Sequence, residues 1–235
     1  IVSDLAAVDV DAVMVTAAHQ YPTGVVLSAP RREALIAWAR ERNAVILEDD
    51  YDAEYRYDRD PVAALQGLAP DRVAYMGTVS KTLAPALRIG WIVAPARLLG
   101  DIEQEFRVSA AQPPTIDQVA LASLVQDGGL DRHLRAMRRR YRAKRELLIS
   151  TLAEHAPELR LSGAAAGLHV MAWLPPACDE HAVAVRAGEL SVGVHELHRN
   201  CMADSEWPPA LLLGYALPTE PEITIGARLL AQAIG

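Results

Sequence analysis

Four short apolar runs alternate with helical segments over the first hundred residues of the chain. They lie at residues 12–16, 45–48, 73–77 and 89–94, are rich in β-branched residues, and are mostly apolar on both faces. Strands that are buried on both sides of a sheet show this pattern, whereas half-exposed strands alternate polar and apolar positions. The runs therefore predict a mainly parallel α/β sheet.

A helix is predicted between the first two runs, at residues 31–42. Leu35, Ile36, Trp38 and Ala39 form its apolar face at helical spacing. Strand, helix and strand in this order make a βαβ unit, which places the two strands parallel to each other in one sheet.

Two further helical segments follow, at residues 97–125 and 130–155, with Gly128 and Gly129 between them. The last part of the chain predicts a strand pair, a helix, a strand and a helix, at residues 159–175, 179–190, 209–217 and 220–234.

This order predicts two domains. Residues 1–128 would form the C-terminal part of a large domain with an interdomain helix, and residues 129–235 a smaller α+β domain.

Composition narrows the class of protein. The chain has 235 residues, of which 51% are hydrophobic, and a net charge of -7. The length and the hydrophobic fraction predict a packed core. The negative net charge argues against a nucleic-acid-binding surface on this chain. Two cysteines and the absence of a long apolar stretch or signal segment favour the cytoplasm and no membrane contact.

Polar residues cluster where three of the predicted strands end. The clusters occupy residues 19–24, 48–52 and 77–82, and Arg88 follows the last one. Because open α/β sheets bind ligands at the carboxyl ends of their strands, we expect the three clusters to converge on one site.

The clustered residue types match what pyridoxal 5'-phosphate (PLP) requires. Lys81 is the candidate for the Schiff base, and Asp49 is the carboxylate that would keep the pyridine nitrogen protonated. Tyr51 would donate to the phenolic oxygen. The predicted phosphate ligands are Thr78, Ser80 and Arg88, the last because its planar fork matches phosphate oxygens.

Three segments resemble the successive hallmark segments of fold type I aminotransferases: VTAAHQYPTG, ILEDDYDAEYRY and YMGTVSKTLAPALRIGW. They are most similar to the MocR-type branch of GntR-like transcription regulators, in which a winged helix-turn-helix precedes an aminotransferase-like domain. The segments SGAAAGLHVMAWLP and PPALLLGYALP resemble small-domain strands, so the resemblance spans nearly the whole chain.

Matched by position, the resemblance implies the same roles for Asp49, Tyr51, Lys81 and Arg88. It implies a fold type I PLP-dependent transferase-like fold, a homodimer, and a small-molecule amine or amino acid as effector. Related enzymes often carry a cis peptide bond at the position of Pro22.

The family's domain begins upstream of this sequence, with a DNA-binding module, a glycine-rich phosphate loop and an aromatic residue that stacks on the cofactor. The sequence contains none of these and has no initiator Met. We therefore expect a fragment whose DNA contacts would be made only by an absent N-terminal module.

Three hypotheses follow. The leading one is the effector-sensing domain of a MocR-type regulator, because the usual arginine that binds an α-carboxylate is replaced by Trp-Pro-Pro-Ala at residues 207–210. The alternative is an active PLP-dependent aminotransferase of class I/II type that acts on a different amine. The third is a fragment that binds no cofactor.

Two other interpretations are weaker. Ser80-Lys81-Thr82 is similar to the end of a phosphate-binding loop of NTPases, but Gly77 is its only nearby glycine, so the cradle is incomplete. The arginine-rich segment 132–145 faces away from an apolar stripe, which favours a solvated face or a domain contact over nucleic acid.

Overall fold

Two separate four-stranded sheets organise the chain in the computed structural model. The structure describes residues 5, 8–52, 54–57, 63–109, 114–163, 165–201 and 206–235. The chain divides into two compact units. The first unit comprises residues 1–20, 26–54 and 61–134, and the second unit comprises residues 21–25, 55–60 and 135–235. The domain boundary expected near Gly128 stays a prediction.

The first unit contains the mainly parallel sheet that the apolar runs predict. Its strands are β1 (Ala12–Val15), β2 (Val45–Asp50), β3 (Val73–Thr78) and β4 (Gly90–Val93), in the spatial order β1-β2-β3-β4. The first three are parallel, and β4 runs antiparallel to β3. Residues 79–89 join β3 to β4 without a crossover α-helix, and such a direct return gives an antiparallel pair.

Helices connect and follow these strands along the chain, and most of the last one, from residue 135 onward, belongs to the second unit. In chain order they are α1 (Ala29–Glu41), α2 (Leu65–Leu68), α3 (Leu99–Val108), α4 (Thr115–Gln126) and α5 (Gly129–His155). The helices expected between β1 and β2 and after β4 are confirmed. The one-turn helix α2 was not predicted, because four residues are too few to show helical periodicity.

The core of the first unit lies on one face of its sheet. Leu35, Trp38 and Ala39 of α1 pack with Ile46 of β2 and Val73 of β3 in one buried cluster. Register assigns Ile46 and Val73 to the same face, because these two residues are aligned across the parallel pair.

Buried polar groups tie the connections to this face. Arg32 donates hydrogen bonds to the main-chain oxygens of Ala17, Leu27 and Ala63, at 3.1, 2.8 and 2.6 Å. These bonds satisfy a buried guanidinium and fix loops on either side of α1.

The opposite face of the sheet carries Met14, Leu47, Asp49 and Met76, which alternate with the core residues. Leu47, Asp49 and Met76 are half-buried, and Met14 on the edge strand is 61% exposed. This face is therefore the accessible one at the end of β2.

The second unit is the smaller α+β part of the chain. Its strands are β5 (Arg160–Ser162), β6 (His169–Trp173), β7 (His195–Glu196) and β8 (Ala210–Gly214), antiparallel in the order β5-β6-β8-β7. Two helices, α6 (Glu180–Glu189) and α7 (Glu220–Ile234), confirm the predicted segments. The two-residue strand β7 was not predicted.

The arginine-rich segment lies on α5. Arg138, Arg139 and Arg142 are exposed, whereas Lys144 and Arg145 are buried in the second unit. The Lys144 ammonium donates to the main-chain oxygen of Ala216 at 2.7 Å, so its neighbours form a solvated face while it makes a packing contact.

No helix among the described residues is long and apolar enough to span a membrane. Both cysteines, Cys178 and Cys201, are free thiols.

Candidate active site

Two of the predicted ligands lie on the same face of the first unit's sheet. Asp49 of β2 is aligned with Met76 of β3, and Thr78 follows Met76 by two residues. Side chains two residues apart on a strand share a face, so the carboxylate of Asp49 and the hydroxyl of Thr78 emerge together at the carboxyl end of the sheet.

The neighbouring acidic residues point elsewhere. Glu48 is buried on the core face and accepts hydrogen bonds from the main-chain nitrogens of Leu65 and Gln66, at 2.9 and 3.1 Å. Asp50 accepts a hydrogen bond of 2.9 Å from the Tyr75 hydroxyl. Burial and the negative charge of Asp50 both raise the pKa of Tyr75, which keeps that hydroxyl a donor.

Asp49 differs from both neighbours. Its carboxylate makes no hydrogen bond or ion pair with any residue that the structure describes. Burial, and then the nearby negative charge of Asp52, raise the pKa of the Asp49 carboxyl above its usual range. A cationic partner such as a protonated ring nitrogen would stabilise the charged form of this half-buried carboxylate.

The segment after β3 is held in a tight turn. Thr78 Oγ1 donates to the main-chain oxygen of Ile89 at 3.1 Å and accepts from the main-chain nitrogen of Ser80 at 3.1 Å. The main-chain nitrogen of Val79 donates to the same oxygen of Ile89 at 3.1 Å. These bonds bring Ser80 close to the chain at Arg88.

A histidine of α5 supports the far side of the turn. His133 Nε2 lies 2.8 Å from the main-chain oxygen of Thr82, whose side chain is buried. Lys81 therefore stands between residues whose positions are fixed by hydrogen bonds, while its own side chain is exposed.

Arg88 occupies an unusual backbone position. It follows the 3-10 turn Pro85–Leu87 with a φ of 52°, in the left-handed region that favours glycine. Its side chain is exposed. Within the described part of the chain, neither Arg88 nor Lys81 has a hydrogen-bonding or ion-pair partner, so both cations are available to a ligand.

Tyr51 lies beyond the end of β2. Its hydroxyl donates to the main-chain oxygen of His19 at 3.4 Å. The adjacent residue, Asp52, bonds the ring of His19, with 2.8 Å between Nδ1 and Oδ2. The sequence suggested only a structural or surface role for His19, and its place in the polar cluster after β1 was the one signal for a role near the site.

The residues present fit PLP. The first unit offers a carboxylate, an exposed amine, a phenol and a guanidinium, all at one end of its sheet. The Thr78 hydroxyl donates to the main-chain oxygen of Ile89, and its phosphate-binding role stays a prediction like the other predicted roles in the site. The Tyr21–Pro22 peptide bond is cis, as the family resemblance led us to expect.

Comparisons with known proteins agree with this chemistry. The family model described as aminotransferase class I and II matches residues 3–206. A solved structure of kynurenine aminotransferase from Pyrococcus horikoshii superposes with a TM-score of 0.88 at 28% identity, covering 96% of this chain and 56% of that one.

Two curated relatives carry regulator names. An HTH-type transcriptional regulator of Bacillus subtilis, YhdI, is 34% identical over 93% of this chain and 47% of its own length. The HTH-type pyridoxine biosynthesis transcriptional regulator PdxR of Corynebacterium glutamicum is 40% identical over 69% of this chain and 36% of its own length. The chain thus spans half or less of these relatives.

Proposed function

We propose that this chain, which belongs to the aminotransferase class I and II family, is the PLP-binding, effector-sensing domain of a MocR-type transcription regulator. The cofactor of this fold is pyridoxal 5'-phosphate, and the family, the fold and the names of the relatives agree on it.

One observation supports assigning the pyridine-partner role to a particular residue. Asp49 and Thr78 share a face at the end of the parallel strands, while Asp50 is occupied by Tyr75 on the other face. This geometry supports Asp49 as the pyridine partner among the several carboxylates of the acidic run.

Each predicted site residue would have a role in PLP binding that follows from its chemical type. Bound PLP supplies an aldehyde that reacts with primary amines and a ring that withdraws electrons. Lys81 would hold it covalently through its amine, and Asp49 would hold a proton on the ring nitrogen. Tyr51 would donate to the phenolic oxygen, and Thr78, Ser80 and Arg88 would bind the phosphate.

The sequence favours sensing over ordinary transamination of an α-amino acid. Where the family usually has an arginine for the α-carboxylate, residues 207–210 read Trp-Pro-Pro-Ala and offer no guanidinium. A small-molecule amine or amino acid would be the effector. We expect a homodimer in the cytoplasm, with DNA bound by a module outside this sequence.

The first test is covalent capture of the cofactor. After PLP addition and borohydride reduction, mass spectrometry should place one PLP adduct on Lys81. Lys81→Ala should carry none, and Lys144→Ala, which removes another lysine of the chain, should still be labelled. Labelling that persists in Lys81→Ala would contradict the assignment.

The second test separates a sensor from an enzyme. Incubation of the PLP-loaded, full-length protein with a panel of amines should change the visible band and the affinity for operator DNA without catalytic turnover. Steady conversion of an amine and a keto acid, with DNA binding indifferent to PLP, would favour the active aminotransferase instead.

A further inference from the structure

A buried polar pair joins two of the loops that surround this site. His19 follows β1, and Asp52 follows β2, the parallel strand next to it. The Nδ1 atom of His19 lies 2.8 Å from Oδ2 of Asp52, and the two side chains are 1% and 2% exposed. Both residues belong to the first unit.

The pair lies next to Tyr51, the residue that would donate to the cofactor's phenolic oxygen. Tyr51 is adjacent to Asp52 in the chain, and its hydroxyl lies 3.4 Å from the main-chain oxygen of His19. Both ends of Tyr51 are thus tied to the pair, its backbone through Asp52 and its hydroxyl through His19.

Burial makes this link difficult to break. A buried carboxylate that loses a hydrogen-bond donor is strongly disfavoured, because burial limits the solvation that could replace the donor. The two loops therefore keep a fixed spacing while the pair is closed.

We propose that His19 and Asp52 form a positioning pair, which holds the loop of Tyr51 at the level of Asp49 so that both reach the same bound ring. The inference rests on the proposed PLP site and adds to it two residues that do not contact the reacting atoms themselves.

Electrostatics supports the same role. The negative charge of Asp52 is the second cause, after burial, of the raised pKa of Asp49. A hydrogen bond from His19 partly offsets the negative charge of Asp52 and so weakens its repulsion of the Asp49 carboxylate. Loss of the His19 ring would therefore disturb the carboxylate that pairs with the cofactor as well as the phenol.

The test compares four variants by PLP titration and by the visible spectrum of the PLP-loaded protein. His19→Leu removes the donor, and His19→Asn keeps an N–H group near the position of Nδ1. The double variant His19→Leu with Asp52→Leu removes the buried charge together with its partner. Glu48→Gln is the matched control. Glu48 is also a buried carboxylate near the end of β2, but it lies on the core face and bonds the main chain at Leu65.

We expect His19→Leu to weaken PLP binding about tenfold and to shift the visible band, and His19→Asn to restore both to within roughly threefold of the wild type. The double variant should also bind PLP weakly even if the single variant does not fold. Glu48→Gln should lower the thermal midpoint yet leave the PLP affinity and the spectrum unchanged.

Wild-type affinity and spectrum in a folded His19→Leu protein or in the double variant would overturn the role of the pair, while leaving the PLP site intact. So would a folded His19→Asn protein as impaired as His19→Leu. Failure of the wild-type protein to form a reducible Lys81 adduct would instead remove the proposed function, and the positioning pair with it.

Discussion

The indole of Trp91 on β4 occupies the space that a Cβ atom of Gly77 on β3 would need. The two residues are aligned across the antiparallel pair, and a Cβ atom built on Gly77 would overlap the indole ring. Gly77 thus leaves room for a large aromatic side chain against the strand that leads to Thr78 and Lys81.

Substitution of Gly77 by Ala should destabilise the first unit by about 1–3 kcal/mol, because the added methyl group must displace Trp91 or separate the two strands. Chemical denaturation would measure the change in the free energy of unfolding. Gly100→Ala is the control: nothing lies within 4 Å of its Cβ position in α3, so this variant should be as stable as the wild type or more so. Equal stability of Gly77→Ala and the wild type would contradict the packing argument.

The backbone of Arg88 predicts a conflict between stability and binding. Arg88→Gly should stabilise the apo-protein by about 1 kcal/mol, since glycine adopts a φ of 52° without the penalty that a side chain carries. The same variant should bind PLP at least tenfold more weakly, because a charged phosphate ligand is lost. Thermal denaturation and PLP titration would measure the two effects.

Pyridoxal, which has no phosphate, separates the role of Arg88 from general damage to the site. Its affinity should be the same in Arg88→Gly as in the wild type. If PLP and pyridoxal weakened equally, Arg88 would not be the phosphate ligand.

The raised pKa of Asp49 predicts how stability depends on pH. A carboxyl group whose pKa is higher in the folded than in the unfolded protein favours folding when protonated, and this contribution is lost as pH rises through the folded-state pKa. Asp49→Asn should therefore raise the thermal midpoint of the apo-protein at pH 7, and the gain should shrink as pH falls towards 4.

Thermal scans of wild type and Asp49→Asn between pH 4 and pH 8 would test this sign. The same variant should bind PLP more weakly, since a neutral amide cannot balance a protonated ring nitrogen. A midpoint that falls on substitution at pH 7 would show that Asp49 is stabilised, rather than strained, in its charged form.

The second unit carries a helix cap whose contribution is measurable by itself. Asp179 precedes α6 and accepts hydrogen bonds from the main-chain nitrogens of His181 and Ala182, at 2.9 and 3.3 Å. Asp179→Ala should cost about 1 kcal/mol of unfolding free energy. Ser28 occupies the same position before α1 without a side-chain hydrogen bond, so Ser28→Ala should change stability much less.

The elements of the fold were predictable where the pattern was long. The apolar face of α1 and the spacing along α5 identify both helices, because a periodic stripe follows directly from 3.6 residues per turn. The short elements α2 and β7 were not predictable, since two or four residues carry no measurable period. The antiparallel direction of β4 depends on how residues 79–89 return, which local pattern does not encode.

For the candidate site too, local features were predictable from the sequence and features that depend on distant contacts were not. The sequence by itself determined that an acidic run, a Ser-Lys pair and an arginine follow successive strands, because residue type and spacing are local properties. Only the tertiary structure decided that Asp49 lies on the accessible face of β2 while Asp50, on the other face, accepts a hydrogen bond from Tyr75, and that Asp52 bonds His19 thirty-three residues away. Those outcomes depend on strand register and burial, which are set by contacts between distant parts of the chain.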